Sequence, residues 1–310
     1  SSGVATTVEG YLNSDVDPRL EGFVTPEMFG AAGDGVTDDT AAFDAAFAVN
    51  RNVQCKNGTT YAVSNLSIPT NASFIGNNAV LKRAGGVGNV LRLEGWGCHV
   101  SNIDINLENS WQSSTVNGAV TAGASTITVA DATGFSEKQW VLFESDVEYR
   151  VECIEIASIS VNTLTLKRPV EGNITNGVKI VSDLPAVVVT GASKIMQRMT
   201  DIKVRQCLIG IQYGETGLDS NNNWSLANNI NVNGCLGVGI LYNHGLAAET
   251  INNFAINSGY SQTTVYSGEG TGSRQRWVYP YSLSNYVYRW GTEPSVRVFV
   301  DGVKLTTSEY

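Results

Sequence analysis

One pattern occurs twice in the chain, as TDIKVRQCLIGIQY (residues 200–213) and NNINVNGCLGVGILY (residues 228–242). Each copy has Asp or Asn before an isoleucine, then alternating polar and apolar positions, then Cys, Leu, a glycine-containing run and Tyr. Ile202 and Ile230 are 28 residues apart, as are the two cysteines. Two shorter versions are SNIDINL (residues 101–107) and NNFAINSGY (residues 252–260). The sequence therefore contains an internal repeat that is made of strands.

A strand repeat of this length predicts a solenoid whose coils each supply two or three short strands, stacked in parallel about 4.8 Å apart. Equivalent side chains then lie above one another. We expect two apolar columns inside the coil, Ile202/Ile230/Phe254 and Val204/Val232/Ile256. We also expect Asn229, Asn253 and, at the equivalent place, Asp201 to lie where the coil turns and to bridge neighbouring coils. Cys207 and Cys235 are predicted to be buried fillers of the same interior.

The segment MFGAAGDGVTDDT (residues 28–40) precedes a helical pattern, AAFDAAFAV. Phe43, Ala46 and Phe47 recur at helical spacing on one face, and Asp38 or Asp39 is placed as the N-cap. A solenoid must cover the open edge of its first coil, so we expect this helix to lie over that coil. Asp34 is expected to bond amides in the glycine-rich turn, which makes the acidic cluster architectural.

Composition excludes several classes of protein. The 310 residues carry a net charge of −9, with 20 Lys and Arg and no basic run, so we expect no nucleic-acid partner. The five cysteines are odd in number and widely spaced without a CxxC pair, which argues against a disulfide framework and a zinc site. No metal and no cofactor is predicted. No apolar run is long enough for membrane insertion, and we expect the protein to carry no secretion signal.

The segment FGAAGDGVTDDTAAFDAAF (residues 29–47) resembles the N-terminal signature, roughly FGAxGDGxxDDTxAxxxA, of the pectate-lyase-like right-handed parallel β-helix superfamily. That superfamily includes polygalacturonases, exo-glucanases and the tailspike depolymerases of tailed bacteriophages. The resemblance implies an all-β fold, a right-handed parallel β-helix with an N-terminal capping helix. In the family this motif caps the helix and holds no substrate, so it does not indicate a catalytic mechanism.

Three features favour the phage branch, whereas the downstream NTD, GHG and RIK motifs of polygalacturonases are absent. In residues 115–183 the coil pattern is interrupted by alternation of polar and apolar residues with a period of two, which predicts a small antiparallel β insertion. The segment GASTITVADATGF in this region is similar to segments of phage tail proteins. The segment SVRVFVDGVKLTTSEY (residues 295–310) resembles the start of a β module of phage tail fibres, with a hairpin turn at Asp301-Gly302. The expected lack of a secretion signal is typical of a virion protein, which is released by lysis of the host cell. The resemblance implies a homotrimer in the bacteriophage tail.

These features predict five regions. They are an N-terminal linker to a virion-attachment region that binds baseplate or tail proteins (1–22), the capping helix and first coils (23–114), the antiparallel insertion (115–185), further coils (186–270), and an aromatic-rich segment with the start of a truncated β module (271–310). We expect the chain to be a piece of a longer polypeptide, because its last strand lacks the continuation such a module needs. Part of the active groove can then lie beyond Tyr310.

The phage resemblance implies a tailspike that binds and cleaves bacterial surface polysaccharide, namely capsule, O-antigen or exopolysaccharide. The alternative is a non-catalytic glycan-binding adhesin or a structural tail-fibre segment. Hydrolysis of a glycosidic bond needs two carboxyl groups, and an endo-glycosidase is favoured here over a polysaccharide lyase. The loop YGETGLDSNNNW (residues 213–224) offers Glu215 and Asp219 as this pair, with Tyr213 and Trp224 as aromatic platforms for sugar rings. The alternative for this loop is a solvated acidic segment.

Two other groups of residues are candidates. Asp104, Glu108 and Trp111 form a second candidate set, in which Trp111 is predicted to bind substrate. Asp104 alternates outward from its strand, so the alternative is that it is an ordinary exposed surface residue. Arg274 and Arg276 are predicted to bind an anionic polysaccharide beside several aromatic residues. The same composition also suits a subunit interface.

Overall fold

The computed structural model describes residues 22–85, 88–108, 110–146, 151–190, 196–215, 222–242, 246–258, 299–300 and 303–304. A short 3-10 helix, Pro26–Phe29, precedes the other elements. In chain order these are β1 (Asp34–Asp38), α1 (Thr40–Val49), β2 (Asn52–Gln54), β3 (Thr60–Val63), β4 (Leu66–Ile68), β5 (Ser73–Arg83), β6 (Leu91–Leu93), β7 (His99–Asn106), β8 (Gln112–Thr115), β9 (Thr126–Thr128), β10 (Trp140–Glu144), β11 (Val151–Ser160), β12 (Thr163–Leu166), β13 (Lys179–Asp183), β14 (Val187–Val189), β15 (Arg198–Arg205), β16 (Ile209–Tyr213), β17 (Asn222–Cys235), β18 (Val238–Tyr242), β19 (Leu246–Ser258), β20 (Phe299–Val300) and β21 (Val303–Lys304). The prediction of an all-β protein is confirmed.

Two parallel sheets form the body of the described residues. Sheet A has the strand order β1-β3-β5-β7-β15-β17-β19, with β2 beside β5, and sheet B has the order β18-β16-β14-β6-β4. From β4 to β19 the chain passes alternately through a strand of sheet B and a strand of sheet A, except that strands β8–β13 between β7 and β14 form a separate sheet. Each such pair of strands makes one coil, and the coils stack through parallel backbone hydrogen bonds. The architecture is therefore a parallel β-helix, as predicted.

The predicted apolar columns are present in the register of sheet A. Ile202 pairs with Ile103 on one side and with Ile230 on the other, and Ile230 pairs with Phe254. The second column is Ile105, Val204, Val232 and Ile256. The isoleucine and valine side chains of coils β7, β15 and β17 in these columns are at most 2% exposed. All five cysteines are also free and buried, and Cys207 and Cys235 lie in the same core, as predicted.

The strands of sheet A bend at a polar residue. Asn102, Asp201 and Asn229 occupy equivalent places in β7, β15 and β17, with φ angles of 57°, 56° and 56°. Asn and Asp tolerate this left-handed conformation better than other residues with a side chain. The Asn229 side-chain amide donates a hydrogen bond to the Asp201 carboxylate of the next coil, so the predicted bridge between coils is confirmed for this pair. The side chain of Asn253 in β19 lies outside the described residues.

Helix α1 covers the first coil with its apolar face. Phe43 packs edge-to-face on Tyr61 and Phe74, with ring centroids 5.2 and 5.6 Å apart, and Phe47 contacts Phe74 at 5.9 Å. The predicted capping helix is confirmed, but Asp39 does not cap it through its side chain. The Asp39 carboxylate instead accepts hydrogen bonds from the amides of Ala32 and Gly33, and so holds the glycine-rich turn. Asp38, one residue before the N-cap position, accepts a bond from the amide of Thr40, the first residue of the helix.

The antiparallel insertion lies between β7 and β14 and has the strand order β8-β13-β10-β11-β12-β9. One face of β10 presents Val141 and Phe143 to the insertion's own core. The other face presents Trp140 and Leu142 to the β-helix, where they pack with a set of residues from β16, β18 and the preceding turns: Leu208, Ile209, Val238 and Leu241. The predicted insertion is confirmed, and it covers part of the outer surface of sheet B.

Strands β20 and β21 form an antiparallel pair near the end of the chain. Phe299 pairs with Lys304 and Val300 with Val303, which agrees with the predicted hairpin around Asp301-Gly302. The aromatic-rich stretch before this pair and nearly all of the predicted N-terminal linker lie outside the described residues.

Candidate functional site

The strands of sheet B end at one edge of the solenoid, where the chain turns toward sheet A. Ile68 of β4, Leu93 of β6, Val189 of β14 and Tyr213 of β16 share one register. The residues that follow these strands therefore lie along the same edge. We call the described turns after β4, β6 and β16 the turn edge (residues 69–72, 94–98 and 214–215). It carries Glu215, one of the two predicted catalytic carboxyl groups.

Glu215 accepts hydrogen bonds from two cationic side chains. Its Oε2 lies 2.7 Å from Arg92 Nη2 and its Oε1 lies 3.0 Å from Lys138 Nζ, and the side chain is 12% exposed. Burial raises the pKa of Glu215, but the hydrogen bonds and charges of Arg92 and Lys138 outweigh it and hold the pKa below its ordinary value. Glu215 is therefore ionised at neutral pH. This state suits a base or a nucleophile and does not suit a proton donor.

Arg92 connects Glu215 to a second carboxylate. Its Nε donates to Glu94 Oε1 at 2.7 Å, and its Nη1 donates to Asn89 Oδ1 at 2.9 Å. The other oxygen of Glu94 accepts a bond from Ser67 Oγ at 2.9 Å. Sequence analysis did not identify Arg92 or Glu94. The available signal was the outward position of Arg92 in the buried strand Leu91–Leu93, since a charged residue there needs a partner.

Lys138 reaches the turn edge from the insertion. Its side chain is 57% exposed, so its bond to Glu215 is open to solvent. Two residues later, Trp140 Nε1 donates to Gln212 Oε1 at 2.9 Å, and this bond is buried between the insertion and β16. The insertion is thus attached to the β-helix beside Glu215, and it supplies one wall of the site.

Two aromatic residues predicted to bind substrate, Tyr213 and Trp111, are buried or half-buried. Tyr213 is 1% exposed and belongs to the interior core of the β-helix, so the prediction that its ring stacks on a sugar is wrong. Strand β16 is buried at all five positions because the core covers one face and the insertion approaches the other. Trp111 is half-buried and packs against the apolar contact between the insertion and the β-helix, where its ring supports this contact.

The other predicted residues fall into two groups. Asp104 accepts a bond from Arg205 Nε at 2.8 Å, and Glu108 pairs with Lys82 at 2.6 Å, both on the outer surface of sheet A and away from the turn edge. Asp219, Arg274, Arg276 and the side chain of Trp224 lie outside the described residues. The pairing of Glu215 with Asp219 therefore stays a prediction.

The turn edge can form many hydrogen bonds with a hydroxyl-rich ligand. Four charged side chains form one network, and the side chain of Glu94 is 38% exposed: Arg92, Lys138, Glu94 and Glu215. Charged donors and acceptors of this kind bond to sugar hydroxyls and to anionic groups. In the part of the chain that the structure describes, no group of three or more His, Cys, Asp or Glu is arranged to hold a metal ion. Across the same residues no helix has the length and apolar character needed to cross a membrane.

Comparisons with known proteins connect the sequence to phages. No protein-family model matches the chain. A depolymerase of Klebsiella phage K64-1, specific for capsule types K30/K69, is 46% identical over 56 residues, which is 17% of this chain and 7% of that protein. Depolymerase 1 of Klebsiella phage K5-2, with the same capsule specificity, is 41% identical over 71 residues, or 22% of this chain and 9% of that protein. The chain resembles phage depolymerases. The resemblance predicted from the glycine- and aspartate-rich motif is thereby confirmed, although the matches span less than a tenth of either relative.

Several solved structures match the chain at low sequence identity. The gp49 tailspike of Pseudomonas phage LKA1 is 16% identical, over 75% of this chain and 49% of that chain, with a TM-score of 0.28. The Gp54 tailspike of Acinetobacter baumannii bacteriophage AP22, solved with a capsular saccharide, is 13% identical over 74% and 44%, with a TM-score of 0.26. The A-module of the Azotobacter vinelandii mannuronan C-5 epimerase AlgE6 is 12% identical over 76% and 56%, with a TM-score of 0.39. The TM-scores of these superpositions are too low to assign a function to the chain.

Proposed function

We propose that this chain is part of a phage tailspike that binds and cleaves a bacterial surface polysaccharide, most simply a capsule, during adsorption to the host. The observation that carries the proposal is the 46% identity over 56 residues with a capsule depolymerase. The parallel β-helix with a capping helix is consistent with it, because a long rigid solenoid presents an extended surface to a polymer. The protein would then reside in the virion tail.

The proposed reaction is hydrolysis inside the polysaccharide chain. In such a reaction one carboxyl group protonates the leaving oxygen, and a second, ionised carboxylate activates water or attacks the sugar. Glu215 suits the second role, because Arg92 and Lys138 keep it ionised. The acid role then belongs to another carboxyl group, and Asp219, four residues along the chain, is our candidate.

A non-catalytic, glycan-binding role has one observation in its favour. Both carboxylate oxygens of Glu215 are hydrogen-bonded to cations, so its lone pairs are partly occupied before any substrate arrives. In that alternative the same network fixes the insertion on the β-helix and binds glycan hydroxyls without breaking a bond.

The remaining proposals concern assembly. We propose a homotrimer, with the N-terminal region joining baseplate or other tail proteins. Arg274 and Arg276 would either bind an anionic polysaccharide or lie in the subunit interface. Size-exclusion chromatography with light scattering measures the trimer directly, and a monomer at micromolar concentration would contradict it.

The function is tested by incubating the full-length protein with purified capsular polysaccharides, types K30 and K69 among them. Release of reducing ends reports cleavage, and ultraviolet absorbance of an unsaturated uronate separates a lyase from a hydrolase. Glu215→Gln and Asp219→Asn are expected to lower the rate by roughly a hundredfold or more. The control is Glu171→Gln, since Glu171 is an exposed carboxylate paired with Arg168 on the insertion.

The outcomes separate the two functions. Cleavage by the wild type that is lost in Glu215→Gln and kept in Glu171→Gln supports the enzyme and its site. Binding without release of reducing ends on every polysaccharide tested supports the adhesin. Full activity in Glu215→Gln would remove Glu215 from the reaction.

A further inference from the structure

We propose that Trp96, on the turn edge, is the stacking platform of a subsite for one hexopyranose unit of the polysaccharide. The inference rests on the proposed function and adds to it a binding residue that sequence analysis did not identify. It places the glycan across the turn after β6, beside the network of Arg92, Glu94 and Glu215.

The indole of Trp96 is unusually open to solvent. It is 40% exposed, whereas Trp140 is 4% exposed and Trp111 is packed against the insertion contact. Leaving a large aromatic side chain in water forgoes the stabilisation that its burial would give. The fold does not use this ring for packing to the extent that it uses the other two, so the ring is available to a ligand.

The backbone of Trp96 is held at both ends by the coil below. Its amide donates to Thr70 Oγ1 at 3.3 Å, and its carbonyl oxygen accepts a bond from the Asn71 amide at 2.8 Å. These bonds fix the position from which the indole projects. A fixed platform binds with a smaller loss of conformational entropy than a mobile loop does.

Two glycines hold this turn close to the coil below. A Cβ on Gly95 would lie 2.3 Å from the carbonyl carbon of Pro69, so no side chain fits there. Gly97 has φ of +62°, a left-handed conformation, and a Cβ there would lie 2.8 Å from Asn71 Oδ1. The chain thus presents one aromatic residue between two positions at which a side chain would be obstructed.

Polar partners for a sugar lie in the same turn and on the next strands. Glu94 is two residues before Trp96, is partly exposed, and each of its oxygens already accepts one bond, which leaves capacity for sugar hydroxyls. Arg92 carries the network on to Glu215, two coils away along the same edge. A polysaccharide that runs along the solenoid axis would therefore pass from the Trp96 platform to the candidate catalytic carboxylate.

A sugar suits this surface better than a protein partner does. The core of a protein interface is depleted in charged residues, and this edge is rich in them. Among the residues that the structure describes, none of the other exposed large apolar side chains belongs to the turn edge: Phe23, Met28, Val36, Val49, Val161 and Leu226. One isolated aromatic ring beside charged groups matches a pyranose, which has an apolar C–H face and a rim of hydroxyls.

The test compares Trp96→Ala, Trp96→Phe and a control, Phe23→Ala, in the full-length protein. Phe23 is 43% exposed and lies near the N-terminal end of the solenoid, so it matches Trp96 in exposure and differs in place. Affinity electrophoresis in gels that contain purified capsular polysaccharide measures binding, and circular dichroism melting checks the fold. We expect Trp96→Ala to weaken binding about tenfold, Trp96→Phe to retain most of it, and Phe23→Ala to leave it unchanged.

The result distinguishes this inference from the proposed function. Wild-type binding or cleavage together with unaltered binding by Trp96→Ala would overturn the subsite and leave the tailspike function standing. Failure of the wild type to bind or cleave any capsule would overturn both. An equal loss in Phe23→Ala would also contradict the subsite, because it would place the glycan elsewhere or indicate a general effect on folding.

Discussion

Replacement of Arg83 by methionine is expected to destabilise the protein strongly, because this one side chain holds both ends of the insertion. Its Nη1 lies 2.7 Å from Asp183 Oδ1 and 3.2 Å from the carbonyl oxygen of Ser110. Its Nη2 donates to the carbonyl oxygen of Leu184 at 3.4 Å. Ser110 precedes the first strand of the insertion, and Asp183 ends the last one. Both charged side chains are nearly inaccessible, at 2% and 4% exposure.

The magnitude follows from this burial. Removing one partner of a buried ion pair leaves the other charge uncompensated and costs roughly 3–5 kcal/mol. Among the described residues, Arg83 Nε and Asp183 Oδ2 have no hydrogen-bond partner. The native pair is therefore incompletely satisfied, and the lower end of this range applies. We expect Arg83→Met to cost about 3 kcal/mol, or a decrease in Tm of roughly 6–12 °C. In the double variant Arg83→Met/Asp183→Leu both charges are gone, and stability should return to within about 1 kcal/mol of the wild type.

Urea denaturation followed by tryptophan fluorescence measures these differences. The control is Lys82→Met, which removes a lysine that is 30% exposed and pairs with Glu108, a carboxylate that is 54% exposed. The control substitution should lower the free energy of unfolding by about 1 kcal/mol or less. An Arg83→Met variant no less stable than this control, or a double variant no more stable than the single one, would refute the reasoning.

The same variant has a predictable dependence on pH. Burial raises the pKa of Asp183, and the charge and hydrogen bond of Arg83 offset this only in part. An aspartate whose folded pKa lies above its unfolded value favours the folded state at low pH, and this contribution is lost as pH rises through the folded pKa. Without Arg83 the pKa rises further, and a protonated Asp183 needs no cation. The loss of unfolding free energy caused by Arg83→Met should therefore be smaller near pH 5 than near pH 8.

Two further predictions concern the turn edge and the insertion. Glu215→Gln should lower the free energy of unfolding by about 1–2 kcal/mol at pH 7, since it removes the charge-assisted bonds from Arg92 and Lys138. Because the folded pKa of Glu215 is lowered, that stabilisation is present above the unfolded pKa and is lost as pH falls through the folded one. The difference in unfolding free energy between the wild type and Glu215→Gln, measured by urea titration, should therefore shrink as the pH falls below the ordinary pKa of a glutamate. Val161→Asn should raise stability by about 1 kcal/mol in thermal melts, because Val161 is 89% exposed with φ of +55°, which a β-branched residue adopts only under strain. A lower Tm in this variant would contradict that explanation.

The repeat in the sequence was sufficient to predict the coils. A stack of parallel strands places equivalent residues above one another, so the 28-residue spacing of Ile202 and Ile230 predicts their pairing directly. The bend at Asp201 and Asn229 was predictable for the same reason, since few residues other than glycine accept a left-handed conformation. The capping helix followed from the spacing of its two phenylalanines.

The site was predicted only in part. Glu215 was predicted as a catalytic carboxyl group in the polar loop after β16, but its cationic partners come from positions 92 and 138, on β6 and in the insertion. Local sequence pattern carries no information about which distant segment lies beside a given loop. Trp96 was not predicted, because the exposure of an aromatic residue in a glycine-rich turn depends on how the neighbouring coil packs against that turn. The neighbouring coil approaches Gly95 and Gly97 too closely for either position to carry a side chain.

The sequence by itself determined the β-helix, its register and its cap, because these depend on short-range periodicity and on stacking of like residues. Only the tertiary structure decided which surfaces remain open. Tyr213 belongs to the interior core of the β-helix, and the insertion packs Trp140 and Leu142 against the other side of β16 and against β18. Strand β16 is therefore buried along its whole length. Alternation along a strand indicates one solvent face only when nothing else covers that face, and whether a distant segment does so is settled by packing between elements.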